Sequence, residues 1–187
     1  MNDTKELMSR SSSFWANLFK TPAEKSDLEA LLLSMPPFQD LRNKYIKLLM
    51  QIVHNRAYEA NEYIFYQGDP GIALYMIREG TAVITQSVNG SEVVELAHLE
   101  RGDFFGELAL LDDEVRSGSA IATAPSNIAV IFKPDLDEFV ERYPKVGIKI
   151  LRGISTIIST RLRKLNDEYF SLYIDKLKAE AANEEND

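Results

Sequence analysis

Glu107 and Arg116 stand nine residues apart in Gly102-Asp-Phe-Phe-Gly-Glu-Leu-Ala-Leu-Leu-Asp-Asp-Glu-Val-Arg-Ser-Gly118, among small and apolar neighbours. Gly106 removes side-chain bulk where a backbone must come close to something. Leu108, Ala109, Leu110 and Leu111 suffice for one helical turn, whose first N–H groups have no internal partner and favour an anion. Arg116 adds a planar fork of donors suited to phosphate oxygens. A carboxylate beside a bound phosphate would repel it, unless it accepts a hydrogen bond from a neutral hydroxyl such as a sugar's. Taken singly, Arg116 reads as a surface ion pair with Asp112, Asp113 or Glu114, and Glu107 as an acid favoured by a helix dipole. Taken together, acid, arginine and bare amides read as a nucleotide cradle.

The elements that must hold this cradle follow from pattern. Phe14, Trp15, Leu18 and Phe19 form a compact apolar anchor after a polar start. Thr21-Pro22 opens a helix whose Leu28, Leu31 and Leu32 share a face, until Pro36-Pro37 ends it. A second helix is expected over about Asp40 to Val53, with Leu41, Tyr45, Leu48, Leu49 and Ile52 at helical intervals. The grammar then changes. Seven of the nine glycines lie between Gly68 and Gly118, so this region is built of short strands and turns. Asp69-Pro70-Gly71 is turn chemistry, and Asn89-Gly90 is the strongest hairpin signal. Many short strands at this density predict an antiparallel barrel or jelly roll. After Lys133-Pro134, Asp135 to Arg142 reads as a helix, and Pro144 opens another that runs past Leu177. On it Leu151, Ile158, Leu165 and Leu172 recur every seven residues, with Leu162 and Tyr169 complementary. The first half of that stripe can pack on the barrel; the stretch beyond Leu165 favours a homodimer seam.

Composition removes several function classes. The 187 residues carry a net charge of −8, which opposes binding to duplex DNA. No apolar run is long enough to span a membrane, and Met1 to Arg10 lacks the apolar core of a secretory signal. The chain has no cysteine, which excludes disulfides and thiolate metal sites and agrees with a cytoplasmic setting. With only His54 and His98 as histidines, a metal-dependent barrel enzyme has too few ligands, and no nucleophile-elbow motif appears.

Phe105-Gly-Glu-Leu-Ala-Leu-Leu, followed by Arg116-Ser-Gly-Ser-Ala120, resembles the phosphate-binding cassette of the cyclic nucleotide-binding domain family, of the catabolite activator and protein kinase A regulatory subunit type. Tyr66-Gln-Gly-Asp-Pro-Gly71 resembles that family's early turn, and Leu74-Tyr-Met-Ile-Arg-Glu-Gly-Thr-Ala-Val-Ile84 its following strands. The resemblance runs from about Phe38 to Asn166. It implies Glu107 on the ribose 2′-hydroxyl and Arg116 on the cyclic phosphate. Gly106, Leu108, Ala109 and Ser117 would line the phosphate through backbone groups or close approach, and Ile84 and Leu96 would be apolar walls. Thr160 to Asn166 resembles the helix that closes over the base, which sets Asn166 at the purine edge. Asn166 reads equally as a solvated helix residue, and the Ser117 hydroxyl as an ordinary strand start.

The expected architecture is α+β: an antiparallel, jelly-roll-like β-roll flanked by N-terminal helices and two C-terminal helices, the last one long. Its expected parts are a tail and anchor (1–20), N-terminal helices (21–56), a roll (57–133) with the cassette at 102–118, C-terminal helices (134–180) and an acidic tail (181–187). The resemblance implies a non-catalytic stand-alone receptor for cyclic AMP in preference to cyclic GMP, without a metal. It would rearrange its C-terminal helices and signal through a homodimer or an effector protein, with neither DNA nor membrane as partner. A platform that binds no nucleotide on the same fold, or a fragment of a transcription regulator, are the alternatives.

Overall fold

The computed structural model describes residues 22–89, 92–111 and 114–184. The anchor at Phe14 to Phe19, Gly90 of the hairpin turn, and Asp112 and Asp113 lie outside them. Eight strands form two four-stranded antiparallel sheets: β1 (Val53–Tyr58), β2 (Tyr63–Phe65), β3 (Ala73–Glu79), β4 (Ala82–Val88), β5 (Glu92–Leu99), β6 (Phe104–Phe105), β7 (Ser119–Ala122) and β8 (Ser126–Phe132). One sheet has the order β1-β8-β3-β6 and the other β2-β7-β4-β5. This is the β-roll expected from the turn spacing. Asn89, at φ +54°, takes the left-handed turn conformation after β4 that the Asn-Gly signal called for.

The run Ala73 to Arg78 in β3 is buried on both faces, because the two faces serve different cores. Tyr75 and Ile77 point into the roll with Ile64, Phe105, Ile128 and Val130. Leu74 and Met76, with Ile131 of β8, point outward beneath a helical layer. Four helices build that layer and its extension: α1 (Pro22–Ser34), α2 (Asn43–Leu49), α3 (Lys133–Arg142) and α4 (Pro144–Glu184). The second helix is shorter than its periodicity suggested. It stops at Leu49, and Val53 already pairs with Ile131, because a β-branched residue with an empty partner position on β8 gains more as a strand.

Leu28, Leu32, Ile150 and Ile154 are fully or almost fully buried, and each such side chain contributes about 1.5–3 kcal/mol. The joint between α4 and the turn that follows α1 is tight. A Cβ on Gly153 would fall 2.4 Å from the Cα of Pro37 and 2.7 Å from the carbonyl of Pro36. Gly153→Ala should therefore lower unfolding stability by about 1–3 kcal/mol, read as a reduced denaturation midpoint at unchanged slope. An unshifted midpoint would show that the two helices separate freely.

Beyond Ile158 the character of α4 changes, since every residue from Ser159 to Lys178 is exposed. Leu162, Leu165, Tyr169 and Leu172 stand 54–70% exposed, along the stripe expected of a seam. No helix among the described residues is long and apolar enough to cross a membrane.

Candidate functional site

Leu108–Leu110 forms a single 3₁₀ turn, with Glu107 before it and Leu111 after it. Its own bonds use the N–H groups of Leu110 and Leu111 and leave those at its start available to a ligand. Gly106 has φ +77°, where a side chain is strained, and a Cβ there would lie 2.7 Å from Nη1 of Arg116. Both reasons require glycine. The turn also reaches inward, since Leu110 is buried in the helical core beside Leu74, Leu136 and Ile154.

Glu107 and Arg116 are both almost wholly buried, which is rare for charged residues and demands partners. Arg116 is placed by the earlier turn. Its N–H donates to the Asp69 carbonyl at 2.8 Å, and its carbonyl accepts from Gly68 N–H at 2.9 Å. Tyr66 N–H is in turn held by the Asp69 carboxylate at 2.8 Å. The Arg116 guanidinium lies 4.3 Å over the ring of Phe65 and 5.4 Å from that of Tyr75. Nη2 donates to the Ala73 carbonyl at 2.9 Å and Nη1 to the Gly106 carbonyl at 3.3 Å. Nε is buried without a hydrogen-bond partner. Burial pushes the Arg116 pKa down and that of Tyr75 up. A desolvated cation with an unused donor, facing no carboxylate in bonding distance among the described residues, is suited to an incoming anion.

Glu107 is held from another layer. Arg161 of α4 donates Nη1 to Oε1 of Glu107, Nη2 to the Phe104 carbonyl at 2.9 Å, and lies 5.2 Å from the Phe104 ring. A carboxylate accepts at two oxygens, so one neutral donor can still be added. Arg161 lies within the Thr160 to Asn166 stretch, where only Asn166 was expected at the site. The signal that reveals its direction is positional: it continues the buried stripe Ile150, Ile154, Ile157 by one more helical step.

The remaining expected residues are placed as follows. Ile84 is half-buried against the inner core and lies beside Gly118, whose Cβ would be 2.6 Å from the Thr85 carbonyl. Leu96 sits at the irregularity opposite Ile84 and Thr85 and is 56% exposed. Ser117 is exposed directly after Arg116, and Ala109 belongs to the turn. Asn166 is exposed and apart from these. It lies about 7.5 Å along α4 from Arg161 and about 140° round it, so the two do not share a face. Phe65, Tyr75, Leu110 and Arg161 were not among the expected site residues. No cluster of three or more His, Cys, Asp or Glu able to hold a metal occurs among the described residues.

A buried carboxylate and a buried arginine flank the single 3₁₀ turn of this β-roll, an arrangement with one acceptor and one donor to offer a small polar ligand. The chain belongs to the cyclic nucleotide-binding domain family, whose profile matches residues 55–143. It is 30% identical, over 79% of its length, to the cyclic AMP receptor protein of Thermus thermophilus. A cGMP-dependent protein kinase of Caenorhabditis elegans is 38% identical over 54% of this chain. The chain spans 66% of the first relative and 13% of the second. Among solved structures, the Thermus thermophilus catabolite activator protein matches with TM-score 0.65 at 31% identity, covering 73% of this chain and 62% of that one. A cyclic nucleotide-binding domain from Methylobacillus flagellatus shares the fold, with TM-score 0.69 at 21% identity over 81% of this chain and 92% of that one. The family is one of regulatory nucleotide-binding domains rather than of catalysts.

Proposed function

We propose that this chain is a receptor for a ribose cyclic phosphate, cyclic AMP in preference to cyclic GMP, that reports binding through its helices. The observation that carries this reading is the buried Arg116 guanidinium with its unused Nε, set one turn from a buried Glu107. The cyclic phosphate would take Arg116, the amides beginning the 3₁₀ turn and the N–H of Ser117. The ribose 2′-hydroxyl would donate to the second oxygen of Glu107. Gly106 and Ala109 would allow the close approach, Leu108 would cover the phosphate, and Ile84 and Leu96 would border the sugar and base. Asn166, about 140° round α4 from Arg161, would meet the purine edge only after α4 turns or shifts.

The response would have two routes. Movement of the turn shifts Leu110 inside the helical core, and the ribose on Glu107 bears directly on Arg161 of α4. Either route changes the relative stability of two helix arrangements, which is the physical content of such a switch. Titration calorimetry with cyclic AMP, cyclic GMP and linear AMP tests the reading. Micromolar binding of one cyclic nucleotide, with linear AMP at least tenfold weaker, is expected. Absence of binding by all three at millimolar concentration would reduce the chain to an interaction platform.

Signalling is proposed to use a homodimer through Leu162, Leu165, Tyr169 and Leu172, with an effector protein downstream. Because these side chains are exposed, Leu165→Asp should leave the fold intact. Sedimentation velocity should then show the dimer reduced to monomer. A species of unchanged mass would remove the seam from the proposal.

A further inference from the structure

The helical layer meets the roll largely through apolar contacts, which are not directional and allow small shifts. A polar fastening pins α1 far along the sequence from the cassette. Asp27 of α1 accepts at Oδ2 from Arg78 of β3, 2.8 Å from Nη2 and 3.1 Å from Nε. Its other oxygen pairs with Arg101, which also donates to the Arg78 carbonyl. Arg78 Nη1 reaches Oδ1 of Asn55 at 3.2 Å. Burial alone would raise the Asp27 pKa, but the hydrogen bonds from Arg101 and Arg78 outweigh it and hold its carboxyl below the usual range.

Such a partly buried ion cluster is weak evidence for stability, because apolar residues in its place often serve as well; its best-attested use is to hold one arrangement against another. Its location fits that use. Arg101 begins the segment that ends at Glu107, and Arg78 follows the β3 residues that support Arg116. The turn that follows the helix it fastens packs on α4 where Gly153 meets Pro36 and Pro37, so a shift of α4 bears on the end of α1.

We propose that Asp27 is a latch, holding α1 on Arg78 and Arg101 and opposing the helix shift that nucleotide binding drives. This rests on the receptor reading above, and it assigns to α1 a regulatory contact outside the pocket. Nucleotide must open the latch, so part of its binding free energy is spent there and the apparent affinity is lowered. Weakening the latch then raises affinity without touching the ligand.

Hydrogen exchange along residues 22–34, together with nucleotide titration, tests this on the full chain. In Asp27→Asn, α1 should lose protection without any ligand, and cyclic nucleotide should bind about three- to tenfold more tightly. Arg101→Met removes only the Oδ1 arm, from a half-exposed position, and should give a smaller change in the same direction, even if Asp27→Asn folds poorly. The double variant should fall close to Asp27→Asn, since that change already removes the charge Arg101 pairs with. In the unaltered chain, nucleotide should itself lower α1 protection. Unchanged α1 protection in both ligand-free variants overturns the latch, as does affinity that is equal or weaker. Failure of the unaltered chain to bind any nucleotide would instead strike the receptor reading; the ligand-free protection of α1 still decides whether Asp27 fastens it.

Discussion

Arg116→Met should lose at least about tenfold in cyclic-nucleotide affinity while leaving the ligand-free fold no less stable. The affinity loss follows from charge-assisted hydrogen bonds, each about 1.5–3 kcal/mol, where about 1.4 kcal/mol is a factor of ten. The unchanged stability follows from what Arg116 does without ligand. Its guanidinium is desolvated, its Nε is unpaired, and its other bonds go to the neutral carbonyls of Ala73 and Gly106. Methionine of similar length keeps packing against Phe65 and Tyr75 and removes the unsatisfied donor. The Ala73 and Gly106 carbonyls lose a donor, which offsets part of the gain. Arg116→Lys should not restore binding, because an ammonium cannot present the planar fork. Calorimetric titration beside a thermal melt separates the two effects. Full affinity in Arg116→Met would refute the phosphate assignment, however the melt behaves.

The second large effect concerns Glu107, and it is selective. Glu107→Gln should weaken binding of a ribose nucleotide by about 1.5–3 kcal/mol and leave the 2′-deoxy analogue almost unchanged. A cycle over protein and ligand isolates the carboxylate–hydroxyl contact from any general loosening of the turn. The same substitution removes the charged partner of Arg161, so α4 should lose protection near Arg161 even without ligand. Arg161→Met distinguishes the roles of the pair. It should retain ribose preference, because Glu107 remains, while nucleotide no longer alters exchange along α4. If Glu107→Gln weakened ribose and deoxyribose ligands equally, Glu107 would be a structural acid of the turn, and the sugar contact would have to be sought elsewhere.

The pattern of residues was enough to single out Glu107 and Arg116, the pair proposed to take the ligand, and the fold buries both. Glu107, Gly106 and Arg116 lie within ten positions of one another, and a glycine before an acid, followed by a turn of small and apolar residues, has few other physical uses. Local periodicity also declared the leucine face of α1 and the roll, because burial repeats with the geometry of each element, whereas the stripe on α4 past Ile158 is exposed and its seam is a proposal. Its limits were local too. Helical spacing in Leu48, Leu49 and Ile52 did not reveal that Val53 belongs to a strand, a choice made by its pairing with Ile131.

What the chain order left open is which distant groups complete the charges. Phe65 and Tyr75 flank Arg116 from other strands, Ala73 accepts its donor 43 positions away, Arg161 reaches Glu107 across 54, and Asp27 reaches Arg78 across 51. No period links such pairs. A strand or helix repeat states which side of an element faces inward, whereas the partner of a buried charge is decided by how whole layers stack. Sequence therefore determined the chemistry this protein offers a ligand, and the tertiary structure decided what holds that chemistry in place and where its movement is carried.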